Sequence, residues 1–215
     1  MQEFNFMGCI ELKELLGLKA NDVQKLLELV EEVPADSIYY HTHSYFLRHF
    51  YITGPYSNDF ANWAVIQVRD RVLGEKLSCV TPSPNKSLED IRFELIEIID
   101  EHLTDQKIVP AVVYGHPFYF MKSQIIKVPT GLSAHNINEF IEALKEVDAS
   151  AIYNHVFEAR QRQRKGRSDF SQWIEEEMGL LALAEKFESV DTYMFSLEGL
   201  RIKLLKLCNG EKENG

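Results

Sequence analysis

The chain repeats itself. Sliding its 215 residues by 114 positions aligns residues 17–41 with 131–155 without a gap. Ten of those 25 pairs are identical, among them Gly17/Gly131, Glu32/Glu146, Ile38/Ile152, Tyr39/Tyr153 and His41/His155, where average composition gives about one or two. The same offset lays "FNFM" (4–7) on "FYFM" (118–121), and small gaps bring "NDFANW" (58–63) onto "SDFSQW" (168–173) and "SLEDIR" (87–92) onto "SLEGLR" (196–201). Four blocks in the same order predict two copies of one unit, residues 1–107 and 108–215, each too small and too apolar to be comfortable alone. Two such copies can cover each other's apolar faces about a pseudo-twofold axis, as separate domains or as one compact domain.

Each copy predicts an α+β arrangement, helix-rich, with one or two strands and about four helices. Phe4/Phe6 and Phe118/Phe120 alternate with period two, which suits a half-buried strand near each start. Val23, Leu26, Leu27, Val30 and Val33 recur at helical spacing, matched by Ile137, Phe140, Ile141, Leu144 and Val147. "SIYYHTHSYFLRHF" (37–50) and "AIYNHVFEARQRQR" (151–164) predict the next helix, capped by Asp36 and Ser150. Asp59 and Asp169 are placed to cap the "FANW" and "FSQW" helices, and Ser87 and Ser196 to cap the last ones. The connection over 101–116 can supply another strand.

Charge narrows the function classes. The 33 acidic and 23 basic residues give a net charge of −10, which repels phosphate backbones at long range and argues against general nucleic-acid binding. The start carries acidic residues where a signal peptide carries basic ones, and no apolar run approaches the ~18 residues of a membrane span, so the expected location is the cytoplasm, away from membranes. Cys9, Cys79 and Cys208 lie outside any metal spacing and read as reduced, buried small hydrophobes.

The matched polar residues are the candidates for chemistry. Arg48 follows His41 by seven positions, within about 20° on a helix, and His155 and Arg162 repeat the pair. Histidine beside arginine suits a small anionic ligand, with imidazole as donor or general base and guanidinium as clamp. The alternative is structural: each His bonds a neighbouring element and each Arg pairs with an acid such as Glu32 or Glu146. His41, flanked by Tyr40 and Tyr45, is the better candidate for a ligand contact; His155, flanked by Asn154 and Ala159, is expected to be structural. His41 and His43 point about 200° apart on a helix, so they form no metal site, and no cofactor is expected. The run "ARQRQRKGR" offers Arg160, Arg164 and Arg167 as an anion patch, or a solvated helix end balanced by Glu175, Glu176 and Glu177. Glu89/Arg92 and Glu198/Arg201 fit local ion pairs. No Gly-rich phosphate loop or nucleophile elbow is present, and no residue is assigned a catalytic role.

The runs "SIYYHTH", "NDFANW", "AIYNHVFEAR", "SDFSQWIEEEMG" and "SLEGLR" resemble a family of bacterial and archaeal domains of unknown function, over nearly the whole chain. Such domains occur alone or beside glycosyltransferase modules, so the resemblance implies an accessory or sugar-related role. The expectation is thus a non-catalytic binding or regulatory module for a small anionic or sugar ligand or a protein partner. The competing expectation is a hydrolase or transferase using His41 or His155 with Arg48 or Arg162.

Overall fold

A computed structural model describes residues 2–48, 56–83, 86–160 and 166–212, the last two as backbone only. The fold is α+β. Among the described residues two long strands, β1 (Phe4–Ala20) and β2 (Phe118–Ala134), pair as an antiparallel ribbon. After β1 come α1 (Val23–Glu32), α2 (Ala35–Thr42), α3 (Tyr45–Arg48), α4 (Asp59–Trp63), a π-helical turn (Ala64–Val68), α5 (Arg71–Ser78) and α6 (Leu88–Thr104). After β2 come α7 (Ile137–Glu146), α8 (Ala149–Ile152), a π-helical turn (Tyr153–Glu158), α9 (Asp169–Glu176), α10 (Leu181–Glu188), a 3₁₀ turn (Thr192–Met194) and α11 (Leu197–Lys212). Residues 101–116 add no strand: α6 runs to Thr104, and Ala111 makes only an isolated bridge to Asp22.

The chain divides into two compact units that do not follow the repeat halves. What we term the central unit holds 11–48 and 56–124 among its described residues, and the terminal unit holds 2–10 and the described part of 125–212. Each strand therefore contributes to both. In the terminal unit Phe4 and Phe6, from residues 1–107, pack on Phe140 and Phe170 from residues 108–215, with ring centroids 5.5–5.9 Å apart. In the central unit Phe118, from the second copy, stacks on Phe60 of the first at 4.9 Å. The physical reason is that a period-two strand carries its apolar face wherever it pairs; local pattern gives the face, not the partner.

The helices form where caps and periodicity agree. Asp22 caps α1 by accepting from the Lys25 amide, and Asn136 caps α7 by accepting from the Asn138 and Glu139 amides. Val23, Leu26 and Val30, like Phe140, Ile141 and Leu144, are buried. Ser87 caps α6 in a reciprocal capping box with Asp90. The "SIYYHTH" segment departs from the single helix expected. Pro34 stands at the N-cap of α2 without a side-chain bond, and the Ser44 amide reaches back five residues to Tyr39 O at 3.1 Å, breaking α2 from α3. The matched segment carries its extra residue in the Tyr153–Glu158 π-turn, and Asp148 rather than Ser150 caps α8. Cys9 and Cys208 are buried, whereas Cys79, at the end of α5, is exposed.

Candidate functional site

His41 leaves α2 toward the core of the central unit and is 3% exposed. Its Nε2 accepts from the Met121 amide of β2 at 3.1 Å. An amide can only donate, so the ring proton sits on Nδ1, which lies 2.8 Å from Asp59 Oδ2. His41 is thus a neutral imidazole with both nitrogens committed. Burial pushes its pKa down, against the pull of Asp59. Burial alone would raise Asp59, but its bonds to His41 and Arg48 outweigh that and hold the carboxylate below its usual range.

The terminal unit has the same geometry. His155 is 4% exposed, accepts from the Met7 amide of β1 at 2.8 Å and places Nδ1 2.9 Å from Asp169 Oδ2. In both units one imidazole ties a strand amide to the carboxylate at a helix start. Asp59 and Asp169 are therefore not the caps expected of them: Asn58 and Ser168, one residue earlier, accept from the Ala61 and Ser171 amides. The carboxylates lie just inside the helix, where they meet imidazole. The co-occurrence of His and Asp in both repeats was the available signal for this pairing.

Arg48 converges on the same carboxylate, with Nη2 2.8 Å from Asp59 Oδ2 and 2.9 Å from Tyr40 O. The acid that meets it is thus Asp59 rather than Glu32. Its guanidinium lies 4.2 Å from the Tyr40 ring centroid and 5.9 Å from that of Tyr45. Both tyrosines are buried, which pushes their hydroxyls up. Arg48 Nε and Glu11 Oε1 are buried and meet no hydrogen-bond partner among the described residues. In the terminal unit Asn154 replaces Tyr40 and donates to Met7 O at 3.0 Å, while Ala159 replaces Tyr45 and is fully buried. Arg162 lies outside the described residues.

The basic run divides. Arg160 is 7% exposed, with Nη2 3.0 Å from Glu188 Oε2 and Nη1 3.1 Å from Thr192 Oγ1, so it is an internal ion pair. Arg167 pairs with Glu175. Arg164 lies outside the described residues. Arg92 and Arg201 make the expected pairs with Glu89 and Glu198, at 2.9 and 2.8 Å, and also donate to Val30 O and Leu144 O near the ends of α1 and α7. His43 is 2% exposed and stacks on Tyr39 at 5.1 Å; burial pushes its pKa down to about 3. Among the described residues no cluster of His, Cys, Asp and Glu could hold a metal ion, and no helix is long and apolar enough to cross a membrane.

The sequence did not single out one further feature. A cavity of about 240 Å³ in the central unit is lined by Gln67, Val68, Arg69, Val113 and Tyr114. Arg69 ends the π-turn in the left-handed region, φ 65°, ψ 27°, and the Asp70 amide reaches back to Ala64 O at 2.9 Å. The terminal unit ends α9 in the same way, with Leu180 N bonded to Ile174 O at 3.2 Å, but its left-handed residue is Gly179, φ 68°. Such helix ends favour glycine; a residue with a Cβ there costs about 1–2 kcal/mol.

The sequence pattern of a family described as a family of unknown function (DUF5752) matches residues 1–209. Among solved structures, OrfY from Thermoproteus tenax superposes with a TM-score of 0.77 at 24% identity, covering 97% of this chain and 95% of that one. That likeness bears on the fold. The comparison with curated proteins finds no match.

Proposed function

We propose, for a chain that belongs to the DUF5752 family of unknown function, that it is a non-catalytic binding or regulatory module for a small anionic ligand, built from two copies of one ancestral unit. One observation carries this reading: in each unit the matched histidine has both ring nitrogens engaged, one by a strand amide and one by an aspartate. General-base chemistry needs a nitrogen within reach of the substrate proton. At His41 and His155 that position is taken by backbone, and removing the amide would break the strand-to-helix tie. Arg48 is likewise spent on Asp59 and on Tyr40 O. The matched His–Asp pairs thus serve the fold, and in this reading ligand chemistry falls to residues that differ between the units.

A thermal-shift screen against sugar phosphates, other phosphate esters, nucleotides and neutral sugars tests the reading, with each ligand recovered and analysed after prolonged incubation. The expected result is stabilisation by an anionic class with the ligand recovered unchanged. Conversion of the ligand, abolished in His41→Ala, would favour the hydrolase or transferase reading instead.

A further inference from the structure

Seven arginines fall among the described residues. Six pair with a carboxylate: Arg48 with Asp59, Arg71 with Glu75, Arg92 with Glu89, Arg160 with Glu188, Arg167 with Glu175 and Arg201 with Glu198. Arg69 alone has no such partner among the described residues, in a chain of net charge −10. The adjacent Asp70 is engaged elsewhere, capping α5 at the Leu73 amide (2.9 Å) and bonding His102 Nε2 (2.7 Å).

Arg69 lines the cavity described above, and so does Gln67. Gln67 is fixed through its oxygen, which accepts from the His116 amide at 2.8 Å. A Cβ at Gly115 would collide with that oxygen, so the glycine lets the amide sit there. With Oε1 used, the NH₂ group of Gln67 has two donors that meet no acceptor among the described residues. Val68, Val113 and the Tyr114 ring, 79% exposed, complete the lining, which holds no carboxylate.

We propose that this cavity is a binding site for a small ring-bearing oxyanion, a phosphate or carboxylate, with Arg69 clamping the anion, Gln67 NH₂ as second donor and Tyr114 and Val113 against the ring. A guanidinium fork matches phosphate and carboxylate oxygens in pairs and is lightly hydrated. The volume of about 240 Å³ is below the ~300–1,000 Å³ of sites for drug-sized ligands, so the ligand is small. The left-handed backbone supplies an independent mark. The fold meets the same need with Gly179 in the terminal unit, so the helix end itself does not call for arginine. A strained non-glycine residue at a cavity is what a functional demand leaves behind.

This proposal deepens the reading of the chain as a binding module and fails separately from it. The test is calorimetric titration of the whole chain at low salt with phenyl phosphate, benzoate and inorganic phosphate. Saturable binding of phenyl phosphate or benzoate is expected, with inorganic phosphate weaker, and the better of the two organic probes distinguishes phosphate from carboxylate. Arg69→Gly, which keeps the backbone conformation, should weaken binding at least tenfold while the unfolding temperature stays the same or rises. Equal binding by Arg69→Gly would overturn the site while leaving a binding module intact. Absence of binding by either ring-bearing probe to the unmodified chain would overturn the site and its ligand class, whatever the wider screen returns. A fall in unfolding temperature in Arg69→Gly would show that the arginine serves the fold, which also overturns the proposal.

Discussion

Arg69 and Gly179 hold the same left-handed backbone, φ 65° and 68°, each at a helix end where the following amide bonds six residues back. The arginine carries steric strain that glycine does not, about 1–2 kcal/mol. Part of that is offset because glycine loses more backbone entropy on folding, by about 0.5–1 kcal/mol. Arg69→Gly should therefore stabilise the chain by about 0.5–1 kcal/mol in urea unfolding. A loss of stability would mean that the side chain makes contacts the fold depends on.

His43 supplies a pH test. Its pKa is about 3 in the folded chain, against about 6.5 unfolded. The unfolded chain therefore takes up a proton below pH 6.5 that the folded chain refuses. The stability is present above pH 6.5 and is lost as pH falls toward 3, at up to about 1.4 kcal/mol per pH unit. His41, also pushed down by burial, adds loss of the same sign below pH 6.5. The matched residue in the terminal unit is Phe157, which stacks on Tyr153 at 5.4 Å just as His43 stacks on Tyr39. His43→Phe should keep the stack and reduce the slope of stability against pH between 4.5 and 6 by up to about 1.4 kcal/mol per unit. An unchanged slope in denaturant titrations over that range would show that His43 does not resist protonation.

These two residues show what the sequence could and could not tell. The apolar periodicity of Val23 to Val33 and of Ile137 to Val147 was legible because burial on one helix face writes itself at regular spacing. The Ser87 cap was legible because its box is local. Asp59 and Asp169 depart from the capping role expected of them because cap and carboxylate target are adjacent residues in "NDF" and "SDF", and only a distant histidine decides between them. The packing of Phe4 and Phe6 among residues of the second repeat was invisible because a strand pattern does not name its partner. The π-turns were invisible as well, since one inserted residue barely disturbs a helical pattern. Nothing in the spacing around Arg69 marks its left-handed backbone.

Arg201 illustrates a role that the i,i+3 spacing only half disclosed. It is 8% exposed, bonds Glu198 at 2.8 Å and donates to Leu144 O at 2.6 Å near the end of α7. Arg201→Ala would strand that buried carbonyl, at a cost of about 1–3 kcal/mol. Lysine lacks the planar fork needed to reach both acceptors, so Arg201→Lys should recover less than half of the loss. Full recovery by lysine in urea unfolding would reduce the role of Arg201 to charge alone.

The matched histidines His41 and His155 each tie a strand amide to the carboxylate at a helix start. Equilibrium unfolding of His41→Ala and His155→Ala tests this role most directly. Each change strands a part-buried amide, of Met121 or Met7, and removes a partner of Asp59 or Asp169. Both variants should lose about 1–3 kcal/mol from the unpaired groups, with a small cavity contribution added. A variant as stable as the parent chain or more so, with ligand binding or turnover lost, would contradict the account and return that histidine to a functional site.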